Sequence, residues 1–306
     1  MTGPVLVVGD LVTDVLAVLG GRLAVGSDTP ARIRVTGGGS AANTAAWLAR
    51  AGVPVTLVAA AGADAAGDAR LAELAAAGVR CAVRRCPGTA TGAVVVLSGS
   101  GERSMLCDRG ANLHLAPSDV DAALAATPEA AHLHLSGYTL LDPGSRPAGR
   151  HALVAAAAQG LTTSVDAASA DPLRRSGGQA FLDLVRGTDV LLANLDEAVA
   201  LAGRELPPAA LAAALTRHAG AAVVKLGGAG AVWADRTGAG VTVPAEPAEV
   251  VDPTGAGDAF AAGFLEAWLA GHAPVDALRA GARLGARAVA LVGGRPVADR
   301  VRPGQS

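Results

Sequence analysis

Short apolar runs that end at a glycine, a carboxylate or an amide recur along the chain, and most are followed by a stretch with apolar residues at helical spacing. The first, Val5 to Val8, is β-branched or Leu throughout and is closed by Gly9-Asp10, which reads as a buried parallel strand ending at a functional edge. Strands are also predicted over Val55 to Ala60, His132 to Ser136, Thr162 to Asp166, Val190 to Ala193 and Ala221 to Lys225. Between and after them, helices are predicted from the glycine run near residue 38 to Ala51 and over Asp64 to Ala77, Pro117 to Ala126, Arg146 to Gln159, Gln179 to Leu184, Glu197 to Ala202, Pro208 to His218 and Pro274 to Val292. This alternation implies an α/β fold, with a largely parallel sheet, helices on both faces and ligands collecting beyond the strand C-terminal ends.

Two stretches break the alternation. Residues 11 to 36 alternate weakly between turns at Gly20-Gly21 and Asp28-Thr29-Pro30. Thr91 to Leu97 and Arg103 to Cys107 read as strands joined by the flexible connection Ser98-Gly99-Ser100-Gly101. Grouped together, segments 11–36 and 88–112 are expected to form a small β-lid inserted into one domain spanning residues 1–306.

Composition narrows the partners more than the fold. Half the residues are hydrophobic but only 2% are aromatic, and alanine is so common that an Ala-rich helix carries little information. A formal charge of −2 with no Lys/Arg cluster argues against nucleic acid and for small molecules. Cys81, Cys86 and Cys107 lack paired spacing, so neither a disulfide framework nor a zinc site is expected. His132 and His134 would share one face of a strand, but no third His or Cys accompanies them at recognisable spacing, and a structural role is the preferred reading. With no basic, apolar leader and no apolar run of membrane length, the chain is expected to be soluble and cytoplasmic.

Two glycine-rich helix mouths carry the candidate chemistry. In Val250-Val251-Asp252-Pro253-Thr254-Gly255-Ala256-Gly257-Asp258-Ala259-Phe260 an apolar strand is expected to end at Val251, with a helix from Ala259 to Ala270 after the turn. Unpaired N–H groups at such a helix start suit an anion against Gly255, Ala256 and Gly257. Asp258 in the first turn would compete with that anion unless it had a task of its own. Beside a phosphoryl group it could accept a proton from an attacking hydroxyl, although for an isolated Gly-Ala-Gly-Asp a simple helix cap is the competing reading. The second mouth is Thr36-Gly37-Gly38-Gly39-Ser40-Ala41-Ala42-Asn43, where three glycines allow close approach to the backbone.

The string Asp252 to Phe260 resembles the C-terminal motif of the ribokinase-like carbohydrate kinases, the PfkB family, and Gly-Gly-x-x-Ala-Asn at 38–43 resembles the N-terminal motif of the same family. The resemblance implies a three-layer α/β/α sandwich with an inserted β-lid, and an enzyme that moves the γ-phosphoryl group of ATP to a sugar hydroxyl with Mg²⁺. It makes Asp258 the catalytic base and Gly255, Ala256 and Gly257 the anion hole. Sugar contacts fall to Asp14, Gly38, Gly39 and Asn43, and a carboxylate at Asp14 also suits a vicinal diol on its own physics. Asn194-Leu195-Asp196-Glu197 resembles the Asn-x-x-Glu motif that handles Mg²⁺ and phosphate. A helix cap explains the same residues.

Lys225 and the turn Gly227, Gly228 and Gly230 would border the nucleotide, as would Thr254, and Asp252 matches a monovalent-cation (K⁺) position of some relatives. Where relatives often carry Asp-x-Asn-x-Arg, this chain has Asp166-Ala167-Ala168-Ser169, and its last helix offers Ala282 where many carry Asn. A sugar such as ribose is the expected acceptor, because both lid segments lack the aromatic residue on which nucleoside kinases commonly stack the base. A nucleoside kinase of adenosine, inosine or pseudouridine type is the alternative, with Met105 or Leu106 against the base, and a non-catalytic sugar- or nucleotide-binding regulator is the third reading. A homodimer through apolar lid residues such as Val94, Val96 and Leu106 is also expected.

Overall fold

Val5–Val8 (β1) has no exposed side chain, so both faces of the sheet around it must be covered, and the chain does this with helices on each side. The computed structural model describes residues 3–99 and 102–296. After β1 come β2 (Val12–Leu19), β3 (Ala31–Gly38), α1 (Ser40–Arg50), β4 (Val55–Gly62), α2 (Ala65–Ala76) and β5 (Arg80–Cys86). They are followed by β6 (Gly92–Gly99), β7 (Glu102–Asp108), α3 (Pro117–Ala125), β8 (His132–Ser136), α4 (Tyr138–Leu141), α5 (Arg146–Ala158) and β9 (Thr162–Asp166). The C-terminal half continues with α6 (Ala170–Ser176), α7 (Gly178–Leu184), β10 (Val190–Asn194), α8 (Leu195–Ala202), α9 (Pro208–Leu215) and β11 (Ala221–Lys225). It ends with β12 (Ala231–Asp235), β13 (Gly240–Val243), α10 (Ala256–Leu269) and α11 (Pro274–Val289).

The nine-stranded sheet has the order β13-β12-β11-β10-β9-β8-β1-β4-β5, parallel except for β12 and β13. Side chains alternate across it. Val5 and Val7 join a core with α1, α10 and α11, whereas Leu6 and Val8 join the opposite core with α3, α5 and α7 to α9. Ligand chemistry at both helix mouths is thereby set at one edge, since α1 and α10 pack side by side on the same face.

A second sheet of four strands, β3-β2-β6-β7, stands apart from the first. Its register puts Asp14, Thr36, Val94 and Cys107 in one cross-strand row, and Val15, Val35, Val95 and Leu106 in the next. Successive rows point to opposite faces. Asp14, Val94, Val96, Met105 and Cys107 line a cleft, so Val94 and Val96 face inward. On the outer face Ile33, Val35 and Leu106 are exposed at 65%, 59% and 57%. Ser100 and Gly101 of the expected connection lie outside the described residues.

Several boundaries differ from those the pattern predicts. No strand ends at Val251. Val250 and Val251 are exposed on an irregular segment that begins with Pro244 and contains Pro247, where no neighbouring strand offers a ladder, and the amides of Val251 and Asp252 bond instead to Val289 O. α10 starts at Ala256, earlier than the apolar spacing implies, because Gly255 takes the left-handed cap conformation. α9 and α11 stop short of His218 and Val292. β5 escapes pattern reading because it is an edge strand carrying Arg80, Arg84 and Arg85, and the β12-β13 hairpin because its alternation is short. His132 and His134 are fully buried and share Ser164 Oγ, at 2.7 and 2.8 Å, and burial lowers their pKa values to about 3 and about 4. They are neutral core residues.

Phe264 anchors the α10 side of the sheet, fully buried and ring-packed against Trp233 and Trp268. Phe264→Ala is expected to lower unfolding free energy by about 3–5 kcal/mol, measured by denaturant titration.

Candidate active site

The C-terminal ends of β9, β10 and β11, Asp10 just beyond β1, and the N-termini of α1 and α10 surround a cleft of about 870 Å³. Its size suits small ligands rather than a macromolecule. The inner face of the four-stranded sheet closes one end, and α11 with the segment around Pro247 closes the other.

At the centre lies Asp258. Ser40 Oγ donates to its Oδ1 at 2.8 Å and Asn43 Nδ2 to its Oδ2 at 2.9 Å, so two residues of the first turn of α1 meet a carboxylate of the first turn of α10. Burial raises the Asp258 pKa to about 7, with Asp166 adding to the shift and the bonds from Asn43 and Ser40 opposing it. The turn before it has no side chain at its cap: Gly255 has φ 75°, and a Cβ there would collide with Gly294. A side chain at Gly257 would meet Lys225 Nζ at 3.2 Å, so this cradle admits an anion only because the turn is bare.

α1 lacks a side-chain cap of its own at Gly39, and Asp10 supplies one from β1, accepting from Ser40 N at 3.1 Å and Ala41 N at 3.3 Å. Arg109 sits 3.8 Å from Asp10, bonds Asp142 at 3.0 Å and lies 4.4 Å over the Tyr138 ring. Asp14, on β2, folds over Gly38, and burial raises its pKa to about 6 against the pull of Arg295. Gly38 O accepts from Arg295 Nη2 at 2.9 Å.

On the α11 side, Lys225 Nζ pairs with Asp166 at 2.5 Å. Burial alone would lower the lysine pKa, but Asp166 and Glu197 hold it above its ordinary value. The expected Asn194–Glu197 pair is present as a capping box: Glu197 N donates to Asn194 Oδ1, while both Glu197 oxygens accept from Asn194, at 2.7 and 2.6 Å. Burial raises Glu197 to about 7. Among the described residues no group of three or more His, Cys, Asp or Glu is placed to hold a metal ion. A Cβ added at Gly227 or Gly228 would meet only open space at the cleft wall, whereas one at Gly230 would strike Val243 O. Ala282, Gly285, Ala286 and Val289 of α11 leave a small-residue slot beyond.

The cleft thus gathers Asp14, Gly39, Asn43, Asn194, Glu197, Lys225, Gly227, Gly228, Gly230, Thr254, Gly255, Ala256, Gly257 and Asp258. Gly38 and Asp252 lie behind it. Asp252 ties the turn to the chain end, accepting from Thr254 N and Gly293 N at 2.9 Å each. Sequence reasoning missed Ser40, Tyr138 and Arg295, and it left Arg109, in the family-like turn Arg109-Gly110-Ala111-Asn112, without a role. Ser40 had a signal in its place beside the glycine run, and Arg109 in its own glycine turn, whereas nothing around Arg295 marked it. The substituted Asp166-Ala167-Ala168 segment keeps the backbone shape of a turn, since Ala168 has φ 76°, a region that Asn enters more readily than Ala, and its N–H bonds Asp166 Oδ1.

This fold and site belong to the small-molecule phosphotransferases. The pfkB family carbohydrate kinase profile matches residues 4–299, and the chain belongs to that family of kinases. An ATP-dependent ribose-1-phosphate kinase of Halopiger xanaduensis is 32% identical over 279 residues, covering 88% of this chain and 86% of the relative. Adenosine kinase from Sinorhizobium meliloti superposes with TM-score 0.85 at 27% identity over 97% of each chain. A putative ribokinase II from E. coli in complex with ATP and Mg²⁺ shares the fold at 24% identity, with TM-score 0.81 over 96% of this chain and 94% of that one. Among the described residues no helix is long and apolar enough to cross a membrane.

The raised carboxyl values have a sign. Asp14, Glu197 and Asp258 keep protons in the folded chain at pH values where the unfolded chain has lost them, so stability falls as pH rises from the ordinary carboxylate range through about 6 to 7. The buried neutral His132 and His134 act in the opposite sense below about pH 6.5, so the isolating comparison is the variant: Asp258→Asn is expected to gain more melting temperature over wild type at pH about 8 than at pH about 5 in a scanning fluorimetry series.

Proposed function

We propose that the enzyme transfers the γ-phosphoryl group of ATP to a hydroxyl, a primary CH₂OH, of ribose or a related carbohydrate. The observation that carries this reading is the Asp258 carboxylate: buried, poised near neutrality, and one turn inside a side-chain-free helix mouth. A base with that pKa is ionised in a useful fraction at neutral pH yet still takes a proton. Asp258 removes the hydroxyl proton as the oxygen attacks. Gly255, Ala256 and Gly257 present backbone N–H groups, with the positive end of α10, to the charge on the transferring group. Asp14 and Gly39 hold the acceptor so that its hydroxyl faces Asp258, with Asn43 lining the site through its bond to Asp258 and Gly38, expected as a contact, shaping the mouth from behind the cleft.

On the opposite side, Lys225, Thr254 and the Gly227, Gly228 and Gly230 turn hold the ATP phosphates, and Asn194 orients Glu197 towards them. Glu197, its oxygens committed to Asn194, would engage a Mg²⁺ ion through water, and the ion would supply charge neutralisation for the ATP phosphates. Asp252, bonded to both the turn and Gly293, is the candidate for tuning by K⁺. The four-stranded sheet acts as the lid, excluding water from the acceptor.

Both ribose 1-phosphate and adenosine, named in the two relatives, contain a ribosyl ring with a free primary hydroxyl. A nucleoside is the second reading, favoured by the apolar roof of Val94, Val96 and Met105 over the acceptor end. Coupled assays of ADP release with ribose, ribose 1-phosphate, adenosine, inosine and pseudouridine separate the two. With the best acceptor, Asp258→Asn should retain ATP binding and lose about 10²–10⁴ in kcat; turnover near wild type would remove Asp258 as base.

We further propose a homodimer through the outer lid face of Val15, Ile33, Val35, Val95 and Leu106. Sedimentation should give twice the monomer mass, and Ile33→Asp with Val35→Asp should return it to one chain; a wild-type monomer would refute the dimer.

A further inference from the structure

The C-terminal segment after α11 reaches the catalytic centre through one side chain. Arg295 is 12% exposed and makes three contacts: Nη2 donates to Gly38 O at 2.9 Å, Nη1 to Glu73 Oε2 at 3.2 Å and Nε to Asn43 Oδ1 at 3.3 Å. Glu73 also accepts from Arg70 at 2.6 Å, so it bridges the two guanidinium groups and holds Arg295 from the α2 side. Asn43 is itself 4% exposed and spends its other amide atom on Asp258, with Nδ2 2.9 Å from Oδ2.

A guanidinium has donors and no acceptor, and a carboxylate has acceptors and no donor when ionised. An asparagine placed between them has one satisfactory orientation, oxygen towards Arg295 and nitrogen towards Asp258. Turned over, its oxygen would face the Asp258 carboxylate and its NH₂ would face the Arg295 donors, leaving buried polar atoms opposed on both sides.

On the reading of Asp258 as the base, we infer that Arg295 is a positioning residue that locks the Asn43 amide in the orientation that stabilises the Asp258 carboxylate. Arg295 touches neither the reacting hydroxyl nor the phosphate. It acts through Asn43, and through Gly38 O it also fixes the point where β3 returns from the second sheet to α1. The other groups facing Asp258 are Ser40 on α1, Asp166 at the end of β9 and Lys225 at the end of β11, and none of them contacts Arg295.

The test is a cycle of Arg295→Met and Asn43→Ala, singly and together, assayed with the best acceptor of the panel. Arg295→Met should lower kcat about tenfold with the KM for ATP unchanged, and should move the acidic limb of the pH–rate profile upward. In the Asn43→Ala background the same change should have little further effect on kcat. Equal losses in both backgrounds, or an unmoved pH profile, would overturn the relay.

If Arg295→Met does not fold, Arg295→Lys and Arg295→Gln carry the comparison. Lysine still only donates and should keep most of kcat, whereas glutamine offers an acceptor as well and should not; equal values overturn the proposal. Carbon-13 NMR titration of the Asp258 carboxyl, assigned with Asp258→Asn, reads the same relay without turnover. An upward shift in the Arg295 variant is expected, and an unchanged titration refutes it. Absence of turnover by the wild type with every acceptor would instead sink the kinase reading proposed above.

Discussion

A carboxylate taken out of water is the constraint around which this molecule is arranged. Burial alone pushes Asp258 towards its neutral form. The fold offsets part of that cost with donors rather than with a directly paired cation: Ser40 and Asn43 take one oxygen each. Both donors lie in the first turn of α1, so the position of a whole helix decides the basicity of one side chain. That helix is itself held by Asp10, a residue of the sheet edge.

The sheet explains why so many separate stretches of chain can meet there. In a parallel sheet every strand delivers its C-terminal end to the same side. Asp10, Asp166, Asn194 and Lys225 all follow or end such strands, and their spacing is fixed by strand pairing, not by loops. The pairs formed there divide the cleft electrostatically. Lys225 with Asp166 stands on the α11 side, and the carboxylates Asp10 and Asp14 with Arg109 stand under the second sheet.

Much of the fold was legible because β1, β10 and β11 are short apolar runs with clear ends, and their helices have their own periodicity. The strand expected before Asp252 was misleading for the same reason: Val250-Val251 has strand composition, but a strand needs a neighbour, and none is available there. At the site, the motif glycines and Asp258 could be picked out because bare turns and an acid in a first helical turn are locally unusual. Asn194 and Glu197 could be read two ways, and the capping box shows the structural one to be present. Arg295 could not be found at all by local reading, since its partners Gly38, Asn43 and Glu73 lie in the first quarter of the chain.

Closure of the chain on itself decides what holds the site in shape. Gly294 fills the space beside Gly255, its carbonyl accepts from Trp47 Nε1 at 3.0 Å, and Gly293 N is bonded to Asp252. The turn at 252–258 therefore has its walls supplied by α1 from the start of the chain and by residues 293–295 from near its end. The supports of this turn thus join stretches far apart in sequence, Trp47 and Gly294 being 247 positions apart. The shape of the turn is therefore a property of the assembled fold and is not carried by its own residues alone.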